Sequence, residues 1–262
     1  MISISSSQLD AWFALFIWPF LRVTALMLSE PVLGNQAIPR RVRVGISVIL
    51  TLTIAPLLPT PPVVSFVSAQ GLVIAAQQLL IGVTLGLSMR IVLNGIEMAG
   101  HIAGLSMGLG FATFFDPQNG AQSPVLAQFL GMFAMLTFFA LNGHLIVISA
   151  LFESFQVLPI SVAPLNAGGF KALAEAGGQM FLVGFMLSLP LIAAILIANI
   201  ALGVLTRAAP QLNLFAVGFP LTITAGFAML LMVLPYLLPP ISRLMEEGAL
   251  HGLKLIGLMH GP

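Results

Sequence analysis

Six apolar runs, each about long enough to cross a bilayer, set the first limit on what this chain can be. A spanning helix needs roughly 20 consecutive apolar residues, and such runs lie at about 11–29, 42–58, 71–93, 125–152, 179–206 and 212–238. Only 6% of the 262 residues are charged, against about 25% in a soluble domain. So few charges cannot cover a water-facing surface, so the expected fold class is an all-α membrane protein. A formal net charge of +1 gives no attraction for a polyanion, so nucleic acid is not an expected partner. The absence of cysteine rules out disulfides, thiolate metal sites and cysteine nucleophiles.

Most of the runs are poor lipid-facing spans. Pro19 and Arg22 interrupt the first, Gln77 and Gln78 the third, Asn142 and His144 the fourth, and Pro190 and Asn199 the fifth. An arginine at a helix centre costs about 2.5–3.5 kcal/mol on insertion scales, and proline frees backbone groups that lipid cannot bond. These groups must therefore meet protein or water, either inside the chain or on neighbouring subunits. Neighbours are the more economical expectation, because a chain of this size has few interhelical surfaces. Trp12 and Trp18 bracket the start of the first run, as an interfacial anchor would, although either could be a packing residue. Asp10 stands where a secretory signal would carry a positive residue, so the first run reads as retained. If all six runs cross, Arg40, Arg41, Arg43, Arg90 and Arg207 fall on one side and Lys171, Arg243 and Lys254 on the other. That excess places the 30–43 and 206–212 loops in the cytoplasm.

Chemical motifs are scarce. Four histidines and eight acidic residues are spread along the chain, whereas catalysis by paired carboxylates, a nucleophile triad or a metal needs convergent groups. Glu97 and His101, at i and i+4, could share a helix face, but the companions of a metal or proton relay are missing and a structural hydrogen bond is the expected role. The glycines of GLSMGLG fit neither a phosphate loop nor a dinucleotide fingerprint. The expectation is a protein that is not an enzyme and holds no cofactor or metal.

One stretch fits no ordinary element. GLSMGLGFATFFDPQNG, Gly104 to Gly120, is too apolar for a solvated turn, while its glycines, Asp116 and Pro117 make it too breakable for a spanning helix.

Three ordered motifs carry a family resemblance. FLRVTALMLSEPVLGNQAIPRRVRVGISVILTLTIAPLLP (Phe20 to Pro59), MGLGFATFFDP (Met107 to Pro117) and NIALGVLTRAAPQLNLFAVGFPLTI (Asn199 to Ile223) resemble the flagellar biosynthetic protein FliR family. This is the R component of the type III export gate, whose injectisome relatives are the T components. The likeness spans essentially the whole chain and favours the flagellar branch.

The resemblance implies a non-enzymatic subunit of the flagellar basal body in the bacterial inner membrane, multi-pass and set among several copies of the P and Q components. Its Pro- and Gly-interrupted helices would be tilted and wrapped around a central channel for unfolded flagellar proteins, in contact with membrane lipid. Within one domain, residues 1–178 would be P-like, 179–238 a Q-like helical hairpin and 239–262 a C-terminal tail. By the same likeness 104–120 is the plug of the closed channel. Met107, Phe111, Phe114 and Phe115 would pack a dry constriction and Gly108 and Gly110 would let it swing aside. Arg207, Pro210, Gln211 and Asn213 would form the cytoplasmic loop embraced by the B component, the export switch. Arg22, Arg90, Glu97 and Asn142 are the expected polar contacts between subunits. Two other readings remain open at this point: a small-solute secondary transporter, against which the absence of paired repeats counts, and a purely structural membrane assembly factor.

Overall fold

The computed structural model of the chain describes residues 6–111, 125–208 and 218–260, the side chains of 6–10, 111 and 219 excepted. Seven α-helices occupy most of the described residues: α1 (Ser6–Ser29), α2 (Arg40–Ile54), α3 (Ala69–Ser106), α4 (Val125–Ala140), α5 (Gly143–Val157), α6 (Ala167–Ala208) and α7 (Phe219–Met259). Short 3-10 turns follow α2 at Ala55–Leu57 and α3 at Leu109–Phe111.

The all-helical membrane expectation holds, with changes in the number of spans and their ends. Four helices, α1, α3, α6 and α7, are long and apolar enough to cross a membrane, and α4 with α5 makes a fifth if the bent pair counts as one. The run at 42–58 becomes α2, which at 15 residues is shorter than the roughly 20 a crossing needs. The parity of Lys and Arg that assigned loops to sides therefore does not carry past α2. The run at 125–152 is broken between Ala140, where α4 ends, and Gly143, where α5 begins. Asn142 sits at the break in the left-handed region, φ 54°, a conformation asparagine tolerates better than most residues.

Three helices swallow what looked like connectors. α3 continues through MRIVLNGIEMAGHIA to Ser106, α6 begins at Ala167, and α7 runs through Pro235, Pro239 and Pro240 to Met259. The expected tail at 239–262 is thus mostly helix. Its end is tied down, since the Met259 carbonyl accepts from Asn166 N–H at 2.9 Å. The Asn166 side-chain oxygen accepts in turn from Gly168 N–H, capping the first turn of α6.

The chain divides into two compact units. The first comprises Met1–Ile91, Asn142–Gly177 and Met245–Pro262. Its core holds Trp18, Leu26, Ile74, Ile81, Phe155 and Ile256. α1 crosses α3 at Gly82 and Gly86, where an added Cβ on Gly82 would lie 2.7 Å from the Ala25 Cβ and one on Gly86 would lie 2.7 Å from Glu30 N. Backbones approach this closely only over small residues, which is how apolar helices associate without a hydrophobic drive from lipid. Trp12 is 61% exposed but Trp18 is fully buried, so only the former can serve as an anchor at the membrane surface. The second unit comprises Val92–Leu141 and Gly178–Leu244. It packs on the same principle: an added Cβ on Gly100 would lie 2.5 Å from Ala127 Cα of α4.

Hydroxyls inside these apolar helices bond their own backbone. Thr51 donates to Ser47 O, Thr84 to Leu80 O and Thr137 to Phe133 O, so none of these groups needs a partner elsewhere.

Candidate functional site: the plug root and the polar groups

The segment expected to plug the channel leaves the end of α3 in the second unit. Residues 104–106 are still helical, and Met107 is fully buried. Its side chain lies over Gly226 of α7, where an added Cβ would fall 2.6 Å from both Met107 Cγ and Cε. Met107 is therefore the root of the segment, held in protein. Thr222 Oγ1, one turn before Gly226, lies 3.5 Å from the Met107 carbonyl. Gly108 has φ 84° and its N–H bonds Leu105 O at 3.0 Å. This is the left-handed residue that ends a helix and turns the chain away. Gly110 follows within the 3-10 turn. Phe114 and Phe115 lie outside the described residues, and so does the side chain of Phe111.

Arg22 is placed differently from the expectation that neighbouring subunits satisfy it. It is fully buried in the first unit, and every nitrogen of its guanidinium finds an acceptor there. Nε donates to Gln78 Oε1 at 2.8 Å, Nη1 to Ser154 O at 2.8 Å and to Ser154 Oγ at 3.2 Å, and Nη2 to Leu158 O at 2.9 Å. The plane sits 4.0 Å from the centre of the Phe155 ring, a cation–π contact. Ser154 and Leu158 stand at the C-terminal end of α5, where the dipole favours a cation; Leu158 O is past the last helical donor, while Ser154 O already accepts Leu158 N–H at 3.0 Å and takes Arg22 as a second donor. The arginine of α1 is thus the C-terminal cap of α5. Gln77, beside Gln78, donates to Ala163 O at 2.8 Å, so both glutamines of the third run are used inside the chain.

The other polar expectations fare variously. Glu97 is exposed and lies against Gly131 of α4, 2.7 Å from where an added Cβ would stand. It forms no hydrogen bond or ion pair with His101. No metal-holding group of His, Cys, Asp or Glu occurs among the described residues. Asn142 is exposed and makes no side-chain cap, so its visible role is the break. Arg207 is exposed in the last turn of α6, where its charge complements the helix dipole. Pro210, Gln211 and Asn213 lie outside the described residues.

Glu30 is a buried acid that the sequence reading did not single out. It follows α1, and its Oε2 accepts from Val32 N–H and Leu33 N–H. Its Oε1 is buried without a hydrogen-bond partner. Burial pushes the carboxyl above its ordinary range, while the two backbone bonds and the nearby Arg90 charge pull the other way. A carboxyl raised in the folded state adds stability that is complete below its unfolded value and is lost as pH rises through the folded one. Wild-type protein should therefore gain thermal stability on mild acidification, and Glu30→Gln should flatten that slope. Equal slopes in melting curves taken across the acidic-to-neutral range would refute the assignment.

The family model described as bacterial export proteins, family 1, matches residues 13–248. The flagellar biosynthetic protein FliR of Escherichia coli K12 is 45% identical over 249 residues, covering 94% of each chain. That of Pectobacterium carotovorum is 47% identical over 245 residues, covering 93% of this chain and 92% of the relative. That of Bacillus subtilis 168 is 31% identical over 222 residues, covering 84% and 85%.

Proposed function

The chain belongs to the bacterial export proteins of family 1, with the flagellar FliR proteins as its relatives, and we propose that it is the subunit that helps to close the flagellar protein-export channel. It is a multi-pass membrane component of the flagellar export apparatus. In the proposal it sits in the inner membrane with P and Q components, performs no catalysis, and lends residues 108–120 as the movable seal through which unfolded flagellar proteins pass.

One observation carries the assembly part. The spanning windows of α6 and α7 are each only 22% buried, against 56% for α3. In the second unit α6 turns out Leu182, Phe185, Leu189, Leu196 and Ile200, spaced three, four or seven apart along one side, with Met186 exposed beside Phe185. An apolar stripe of this length needs a lipid or helical neighbour, and a Q-like hairpin would find the next helices of a spiral there. Co-expression with P and Q components, followed by gentle purification, should yield a stable complex containing this chain. Recovery of the chain alone under conditions that keep P and Q together would overturn the proposal.

The loop between α6 and α7 gives a second test. In the proposal it faces the cytoplasm and meets the B component. Photocrosslinkers at Ala208 or Gln211 should capture that protein in cells; labelling of the same positions only from the periplasm would remove this contact from the proposal.

A further inference from the structure

Positive charge in the first unit gathers at one end of α1. Between residues 11 and 91 Glu30 is the only acid, against Arg22, Arg40, Arg41, Arg43 and Arg90. Arg22 is used inside the chain, and the other four stand where α1 leaves the membrane. The spanning stretch of α1 ends at Ser29. Arg43 Nη1 donates to Gly34 O at 3.4 Å, which ties the start of α2 to this end. Gly86 of α3 lies against Ser29 and Glu30, and Arg90, one turn later, is close enough for its charge to act on Glu30. Glu30 does not neutralise the group, since it is buried and its Oε2 is taken by Val32 and Leu33 N–H. Arg40 and Arg41 are exposed, and the first turn of α2 holds no acid and no side-chain cap. Three guanidiniums thus crowd the positive end of a helix dipole. What this cluster lacks is an anion.

The rest of α2 says which kind. Both α2 and the 3-10 turn after it pack on α1, so the chain turns back at 30–39 and α2 descends beside the span with Ser47, Thr51 and Ile54 buried. Its other side is apolar and uncovered. Val42, Ile49 and Leu52 are exposed, and a Cβ added to Gly45 between them would meet nothing within 4 Å. Spaced three, four and three apart, these four residues form one stripe, and Arg41, one turn before Gly45, stands on the same side. From Val42 to Leu52 is about 15 Å at the helical rise, half of a hydrocarbon core about 30 Å thick. An apolar track one leaflet deep, basic at the end where the span stops, has the form of a phospholipid with a negative headgroup.

We propose that the outer face of α2 is a site for an anionic phospholipid of the phosphatidylglycerol class, its phosphate held by Arg40 and Arg41 and an acyl chain lying along Val42, Gly45, Ile49 and Leu52. The lipid supplies the counter-charge that the first turn of α2 lacks and covers its apolar side. This requires only that the chain lie in a membrane, so its failure would leave the export proposal standing.

The chain has no cysteine, so one introduced thiol is a unique label. Full-length protein carrying bimane on Ile49→Cys is reconstituted in phosphatidylcholine vesicles with a minor fraction of lipid brominated on its acyl chains, either phosphatidylglycerol or phosphatidylcholine. Brominated phosphatidylglycerol should quench the label about threefold or more over brominated phosphatidylcholine, because each arginine near the surface favours anionic lipid several-fold. The same label on Ile197→Cys, at an exposed position of α6, should show no preference. Adding Arg40→Gln and Arg41→Gln, both at exposed positions, should erase the preference at residue 49, and excess inorganic phosphate should leave it in place. An equal preference at residues 49 and 197 would show a general attraction to the membrane and overturn the site. So would a preference that survives the two glutamines, one that inorganic phosphate abolishes, or a label that neither brominated lipid quenches because protein covers the face.

Discussion

Replacing Arg22 with alanine should cost the chain about 3–5 kcal/mol, because the loss leaves the Leu158 carbonyl and Gln78 Oε1 buried without donors and strips the Ser154 carbonyl of its second one. The stacking on Phe155 goes with it. Arg22→Lys keeps the charge but offers a single ammonium in place of a planar fork, so it cannot reach three acceptors on two sides and stack as well. It should fall between wild type and alanine. Thermal unfolding of purified protein in detergent gives the ranking. The deficit should persist after co-assembly with P and Q components, since the acceptors lie within the chain. Equal melting of wild type and Arg22→Ala would refute the capping role, and a deficit that vanishes on co-assembly would return Arg22 to a contact between subunits.

The second large effect is expected at the plug root. Gly108 holds φ 84°, a region that costs a β-branched residue about 1–3 kcal/mol, so Gly108→Val should displace the start of the seal. Gly108→Asn should be tolerated, since asparagine visits this region. Gly226→Val presses from the other side, into Met107 Cγ and Cε, and the fully buried Met107 has little room to yield. In the proposed gate both valine variants should assemble yet lose most secretion of flagellar protein, while the asparagine variant exports normally. Secretion and assembly measured together in cells settle it. Normal export by Gly108→Val and Gly226→Val would show that the root geometry does not matter to the gate.

The boundary of the seal also changes how it should be removed. A deletion from Gly104 would take the last turn of α3 and the buried Met107 with the loop, and would damage the second unit. Removing 110–120 leaves the root intact.

Hydropathy showed that the chain is helical and apolar, because burial in lipid demands long runs whatever their neighbours. It could not show where those runs end. α3 extends to Ser106 and α7 to Met259 because glycine and proline, which punctuate soluble helices, are tolerated in packed apolar ones whose neighbours satisfy the freed backbone groups. Asn142 was legible as an interruption, but its left-handed conformation was not. The acceptors of Arg22 lie on residues 56 to 136 positions away, and no local pattern announces such a distance. The missed crossing of α1 and α3 did leave a signal: Gly82 and Gly86 form a G-x-x-x-G pair, the mark of closely packed apolar helices. Glu30 left none, since a single acid after a helix is ordinary until its burial is known.

Ion leak through the assembled gate tests the proposed role of the chain most directly. Cells expressing the chain with its P and Q partners would carry either the wild type or the deletion of residues 110–120, with assembly verified in the same membranes. A plug predicts tight membranes for wild type and a marked rise in ion permeability for the deletion, because an apolar constriction bars ions by excluding water. A deletion variant that assembles normally and leaks no more than wild type would contradict it.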